Sequence, residues 1–148
     1  MTFHVRRAGA ADHAVLARLM TAQLVEHDLP ADAARVNRGL DVALAPDSPA
    51  WLFLAEDQGA ALGVMLAQRC ASVEKGGLGL WIEELYVVPA ARRRGVARAL
   101  LQHVIDAAPA LGIVSLDLEV VKSQSAALAL YPALGFKRVD RLRFTRDL

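Results

Sequence analysis

The chain has 148 residues, a length that fits one domain, and 55% of them are hydrophobic, which is enough to build a core. Its 17 basic residues nearly balance 16 acidic ones, so no overall charge marks it as a protein that binds nucleic acid or a membrane surface. The single cysteine, Cys70, excludes an intrachain disulfide and a thiolate metal cluster.

The first half of the chain predicts a strand, two helices and a hairpin. Residues 3–7 alternate weakly between polar and apolar, and Asp12 is a suitable cap for a helix with apolar residues on one face. A second helical pattern covers residues 31–44. Strand patterns at 51–56 and 62–69 are separated by a Gln-Gly turn, which is typical of a hairpin.

The second half predicts a strand at 80–88, a helix after Gly95 and a strand at 113–121. The two strands and the helix between them should form a parallel crossover. A short helix should end at Tyr131, because a proline follows it. One or two closing strands are expected in residues 136–148. This order of elements predicts one α+β domain spanning residues 1–148, with a mixed sheet and helices on its faces.

The turn between strand 80–88 and the following helix is the segment best suited to bind a ligand. The first amides of a helix lack partners and lie at the positive end of the dipole, so they attract phosphate. Small residues let an anion approach, and arginines can neutralise its charge. A solvated basic turn and an RNA contact are alternative interpretations. The residues concerned are Arg92, Arg93, Arg94, Gly95, Val96, Ala97 and Arg98.

Two motifs resemble the GCN5-related N-acetyltransferase superfamily. Arg92-x-x-Gly95-x-Ala97 resembles its acetyl-CoA signature, Arg/Gln-x-x-Gly-x-Gly/Ala. Downstream, the run from Leu130-Tyr131 to Gly135-Phe136 is similar to the family's Leu-Tyr-x-x-x-Gly-Phe motif. The resemblance implies a mostly antiparallel, splayed sheet of six to seven strands with helices on both faces. It also implies a small single-domain acetyltransferase that uses acetyl-CoA and no metal.

By position, the resemblance implies how the coenzyme is held. Residues 93–98 would hold the pyrophosphate, with Arg92 beside it. Gln124 stands where the family commonly has Asn, so a coenzyme contact there would come from a longer side chain. The strand residues that would line the acetyl and pantetheine end are Leu85, Tyr86 and Val87.

The same resemblance, joined to the chemistry of thioesters, suggests catalytic groups. Tyr131 matches the family tyrosine near the coenzyme sulfur and is the candidate acid for the leaving thiolate. A backbone N–H freed by a bulge, for which we choose Val87, would stabilise the oxyanion. A carboxylate is needed to take a proton from the amine. Core packing is the alternative role for Tyr131.

Glu83 and Glu84 are the candidates for that carboxylate. Strand alternation sends them to opposite faces, unless a bulge intervenes. The run from Ile82 to Val87 is similar to the polyamine- and diamine-acetylating branch, so Glu83 is preferred as base or water-orienting residue. Glu84 is the second choice for the base and is assigned to the acceptor site. A surface or ion-paired role is the alternative for each.

Asp117 and Glu119 share a strand face and are further candidates for acceptor binding, for which a solvated surface role is the alternative. Glu26 lies near the end of the first helix, a region that by the resemblance helps to form the acceptor pocket.

These observations predict an acetyl-CoA-dependent N-acetyltransferase whose acceptor is a small cationic amine. A protein N-terminus or lysine as acceptor, and a non-catalytic acyl-CoA sensor, are the alternatives. No signal-peptide pattern or bilayer-length apolar stretch occurs, so we expect a soluble, cytoplasmic protein without membrane or nucleic-acid partners. Many relatives in the superfamily are dimers, so a homodimer is left open.

Overall fold

A computed structural model describes residues 2–148, in which five strands form one sheet. The strands are β1 (His4–Arg7), β2 (Ala50–Asp57), β3 (Ala60–Ser72), β4 (Gly77–Val87) and β5 (Ile113–Leu118). The α-helices are α1 (His13–Glu26), α2 (Ala33–Leu44), α3 (Val96–Ala107) and α4 (Ser125–Ala133). Spatial order follows chain order, with antiparallel pairing from β1 to β4 and a parallel pair β4–β5. The predicted α+β class and the parallel crossover are therefore confirmed.

Local sequence signals account for the helix starts. The Asp32 carboxylate accepts the Arg35 amide at 3.0 Å and caps α2. Asp12 holds the predicted cap position of α1, but its carboxylate accepts the Gly9 amide at 2.8 Å and the Arg6 guanidinium instead. Asp12 thus ties the segment before α1 to β1.

The sheet has a hydrophobic core on each face. One core packs against α3 and the other against α1 and α2, so the predicted helices on both faces are confirmed. Strand β2, between β1 and β3, contributes to both cores from Ala50 to Ala55. The helical residues buried on the first face are Val96, Leu100, Leu101 and Val104, and those on the second are Leu16, Leu19, Met20, Val36, Leu40 and Ala43.

The expectation of six or seven strands is wrong for residues 2–148, because the segment 136–148 contains no strand. Strand β5 also ends at Leu118 rather than at residue 121. Ion pairs between side chains hold the terminal segment, while Leu142 and Phe144 stay exposed. Without a buried face, alternation in this segment does not specify a strand register.

Helix α4 passes the proline that was expected to end it. Pro132 lies inside the helix, which continues to Ala133. A proline in the last turn removes one helical hydrogen bond, and its fixed φ is compatible with a helix. The Gly135 amide then donates to the Pro132 carbonyl at 3.0 Å and the Phe136 amide to the Tyr131 carbonyl at 3.1 Å, which closes the helix.

Gly63 lets β3 approach β4 and α3. A Cβ at this position would lie 2.8 Å from the Tyr86 carbonyl oxygen and 3.1 Å from Val96 Cγ1. We expect Gly63→Ala to lower the free energy of unfolding by about 1–3 kcal/mol, since the backbone must shift. Gly39 lies within α2, and a Cβ there would meet open space. Gly39→Ala should therefore raise the free energy of unfolding by about 0.5–1 kcal/mol. Urea denaturation measures both, and equal stability of Gly63→Ala and the parent would contradict this assignment.

Candidate active site

Strands β4 and β5 separate halfway along β4 and leave a gap. Their pairing ends at Ile82 and Leu118, whereas β4 continues to Val87. The Val88 amide donates to the Leu62 carbonyl on β3 at 3.0 Å. Because amides alternate between the two sides of a strand, the Val87 amide points toward the gap. The divergence of β5, rather than a bulge at Val87, therefore leaves this N–H available.

The turn that begins α3 offers open space over the helix N-terminus. Gly95 has φ +82° and occupies the N-cap position without a side-chain cap. The backbone of Arg93 also adopts a left-handed conformation, with φ +61°. A Cβ on Gly95 would meet no atom within 4 Å. The first amides of α3, from Val96, Ala97 and Arg98, are thus placed to receive an anion.

Two of the four arginines at this turn have partners within the protein. Arg92 Nε donates to the Val87 carbonyl at 3.0 Å, and its Nη2 donates to Glu26 at 2.5 Å. Arg94 lies 3.8 Å from the Asp57 carboxylate. Within residues 2–148, Arg93 and Arg98 are exposed and form no ion pair. An incoming anion therefore meets two guanidinium groups that need not release a carboxylate first.

An acidic groove lies between α1, α2 and the sheet. Its volume is about 480 Å³. Both carboxylates of β4, from Glu83 and Glu84, line it, together with Arg35 of α2. Apolar walls with an acidic end suit an amine carried on an apolar stem. The apolar residues of the walls include Met20, Leu24, Val36, Leu40 and Leu66.

A β-bulge brings the two carboxylates into the same groove. Leu66 pairs with Glu84 and Ala67 pairs with Ile82, so Glu83 is the extra residue. Strict alternation would place the two glutamates on opposite faces. The bulge thus explains why the two glutamates line the same groove instead of lying on opposite faces.

The two glutamates have different surroundings. Glu83 is exposed and accepts Gln68 Nε2 at 3.1 Å, whereas Glu84 is half-buried and accepts Gln23 Nε2 at 2.5 Å. Burial raises the pKa of Glu84, and the negative charge of Glu83 raises it further. Glu84 thus holds a proton at higher pH than an ordinary glutamate, and a raised pKa makes a carboxylate a stronger proton acceptor.

Tyr131 lies on the α3 face, where the side chains of Leu85 and Val87 also pack. Its ring meets Phe136 edge to face at 5.8 Å between centroids. Burial raises the pKa of the Tyr131 phenol, so the group carries its proton at neutral pH. Gln124 is the N-cap of α4, and its Nε2 lies 3.2 Å from His27 Nε2.

Three of the residues assigned to the acceptor lie elsewhere. Glu26 pairs with Arg92, and Asp117 is exposed opposite Trp81 in the sheet. Glu119 follows the end of β5 and pairs with Arg143, whose guanidinium carbon is 6.0 Å from the Trp81 ring centre. Among the described residues, none of the three lines the groove.

Sequence reasoning did not select Gln23, although a signal for it exists. Gln23 is spaced seven residues after Leu16 and three after Met20, on the buried stripe of α1. A polar side chain on such a stripe needs a buried partner. The position of Gln23 on this stripe is therefore the sequence signal for a buried polar contact.

Neither a cluster of metal-ligating side chains nor a helix suited to span a membrane occurs within residues 2–148. No group of three or more His, Cys, Asp or Glu side chains is arranged to hold a metal ion there. No helix of that part of the chain has the length and apolar character needed to cross a bilayer.

Comparison with known proteins assigns most of the chain to one family. The acetyltransferase (GNAT) family model matches residues 15–136. The chain belongs to this family. The GNAT resemblance of the two sequence motifs is thereby confirmed.

Individual relatives of this GNAT chain agree with the family. The [ribosomal protein bS18]-alanine N-acetyltransferase of Salmonella typhimurium is 52% identical over 50 residues, which are 34% of this chain and 34% of that protein. The match thus spans about a third of the length of the curated relatives. An integron cassette protein from a salt-marsh metagenome has a TM-score of 0.85 and 26% identity, covering 98% of this chain and 90% of its own.

A further solved structure is that of the aminoglycoside N-acetyltransferase AAC(6')-Iy in complex with CoA. It has a TM-score of 0.77 and 23% identity, and the match covers 99% of this chain and 95% of that one. This likeness shows the shared fold.

Proposed function

We propose that this GNAT domain transfers an acetyl group from acetyl-CoA to a small cationic primary amine by direct attack. One observation carries the proposal: the gap runs beside residues 83–87 of β4, and the acidic groove is lined by Glu83 and Glu84 of the same segment. A thioester bound in the gap and an amine bound in the groove would therefore come together beside this segment of β4. Direct attack needs this closeness of the two reactants.

The N-terminus of α3 would bind the coenzyme pyrophosphate. Gly95 leaves room for it, and Arg93 and Arg98 supply positive charge. Arg92 and Arg94 would join after leaving Glu26 and Asp57. The backbone of Leu85, which faces the gap, would pair with the pantetheine arm, whereas the Val87 carbonyl already accepts Arg92 Nε and the Val87 amide is left for the acetyl carbonyl. The CoA complex of the aminoglycoside acetyltransferase, which shares this fold, supports the assignment.

The reaction would require one proton acceptor and one proton donor. Alkyl amines have a pKa of about 10.4, so the ammonium form must first lose one proton to solvent, and a groove carboxylate would take the second proton as the amine attacks. As the N–C bond forms, the Val87 amide would donate to the oxyanion. The oxyanion would then re-form the carbonyl as the C–S bond breaks, the thiolate would take the phenolic proton of Tyr131, and the phenolate would regain a proton from solvent. The phenol is protonated at neutral pH, as this role requires.

A protein N-terminus is the second candidate acceptor. The Salmonella relative is named for acetylating an alanine of a ribosomal protein, and its similarity to this chain covers 50 residues. An open groove could admit an extended chain end. The acidic end of the groove favours a cationic small molecule, because a second positive charge would be stabilised there.

A panel of amines tests the proposal by thiol release from acetyl-CoA. The panel should contain diamines, polyamines, aminoglycosides and short peptides with a free or a blocked N-terminal alanine. We expect release with small cationic amines and none with blocked peptides. Preference for the free-alanine peptide would replace the acceptor by a protein N-terminus. Tight acetyl-CoA binding by calorimetry without release from any amine would indicate an acyl-CoA sensor.

A further inference from the structure

Gln23 is a buried amide with only half of its hydrogen-bonding groups satisfied. Its exposure is 7%, and it lies among the buried apolar residues of α1. Its Nε2 donates to Glu84 at 2.5 Å. Its Oε1 is buried and has no partner among the described residues. A buried, unpaired carbonyl is costly, so the contact with Glu84 must account for an amide at this position.

We propose that Gln23 is a positioning residue that holds the Glu84 carboxylate in the groove as the group that takes the proton from the acceptor amine. This inference rests on the proposed acetyl transfer. It names a residue outside both sequence motifs and assigns the proton to Glu84 instead of Glu83. The contact crosses from α1 to β4, so it also fixes the width of the groove beside the carboxylate.

The surroundings of the two glutamates favour Glu84. Glu83 is exposed, and a solvated carboxylate exchanges its proton with water. Glu84 is half-buried at the bulge, where the amide orients it. Gln23 stabilises the ionised form and so opposes the effect of burial on the pKa of Glu84.

Within residues 2–148, four other charged or titratable groups lie near Glu84. His27 at the end of α1 and Arg143 in the terminal segment lower the pKa of Glu84, whereas the neighbouring Glu83 raises it. Arg35 of α2 lines the same groove. Removal of the Gln23 donor leaves these groups in place, so the effect of Gln23 on the pKa of Glu84 can be measured separately from theirs.

The amide can serve both protonation states of Glu84. Before transfer, Nε2 donates to the carboxylate, as observed. During transfer the amine N–H bond breaks and an O–H bond forms on Glu84. Half a turn of the Gln23 amide then brings Oε1 to this hydroxyl as acceptor. The carbonyl that now lacks a partner thus gains one in the state that follows proton transfer.

Matched glutamine variants test this inference through the pH dependence of kcat/KM. Gln23→Leu removes the donor to Glu84, so the pKa of Glu84 rises and the acid limb should move upward by about one pH unit. Gln68→Leu removes the donor to Glu83 and should leave the limb in place. Glu83→Gln removes a negative charge, which should move the limb to lower pH. Glu84→Gln should abolish the limb. Circular dichroism verifies the fold of each variant.

NMR titration of the Glu84 side-chain carboxyl carbon supplies a measurement that needs no turnover. We expect the Glu84 pKa to rise in Gln23→Leu and to stay constant in Gln68→Leu. An acid limb that follows Gln68→Leu, or that survives Glu84→Gln, would overturn the inference in favour of Glu83. An unshifted Glu84 titration in Gln23→Leu would overturn it even if the parent acetylates amines. A parent inactive with every amine would instead refute the proposed function and the base role together, while the titration still reports the contact.

Discussion

Gly95→Asp should lower the affinity for acetyl-CoA by about 100-fold, which corresponds to about 2.7 kcal/mol. The side chain would project into the open space over the N-terminus of α3, where the pyrophosphate is expected. Its carboxylate would occupy the anion site and repel the phosphates. The left-handed backbone at φ +82° adds strain for any residue with a Cβ. Isothermal titration calorimetry measures the change.

Gly112→Asp is the matched control for that experiment. Gly112 has φ +68° and open space around its Cβ, but it lies at the other end of the α3 region, before β5. The two substitutions add the same charge and similar strain, so both should lower the melting temperature to a similar extent. Only Gly95→Asp should weaken coenzyme binding. Equal affinities of the two variants would place the pyrophosphate elsewhere.

The fold could be predicted wherever local signals suffice. The hairpin between β2 and β3 turns through Gln58 and Gly59, which have φ +48° and +82°, and a Gln-Gly pair between two apolar runs predicts such a turn. The apolar stripe of α3 is also set by nearby residues, so the sequence alone predicts this helix. In residues 136–148 apolar side chains are interleaved with charged ones, as in a strand with one face in solvent, but strand pairing depends on a partner edge that this pattern does not specify.

The candidate site divides in the same way. The turn at Gly95 is contiguous in sequence, so its geometry could be predicted from spacing. The placement of Glu83 and Glu84 could not, because it depends on a bulge against Leu66 and Ala67 of another strand. Gln23 lies 61 positions from its partner Glu84, and only the packing of α1 on the sheet brings the two together.

Tyr131→Phe should lower kcat by about 100-fold and change the affinity for acetyl-CoA by less than about twofold. The ring remains, so its packing against Phe136 is kept and only the hydroxyl is lost. Without that proton the thiolate must leave unassisted. Because burial raises the pKa of Tyr131 above its ordinary value of 10, the acid stays protonated across the neutral range, and the parent should keep this assistance up to alkaline pH. Steady-state thiol release and calorimetry give the two quantities.

Phe136→Leu separates acid catalysis from packing. This variant removes the ring that meets Tyr131 at 5.8 Å but leaves the hydroxyl in place. If the hydroxyl acts as the acid, kcat should fall far more in Tyr131→Phe than in Phe136→Leu, although the second change loses more buried apolar surface. The opposite order would assign Tyr131 to the core, and the thiolate would then take its proton from water in the gap between β4 and β5.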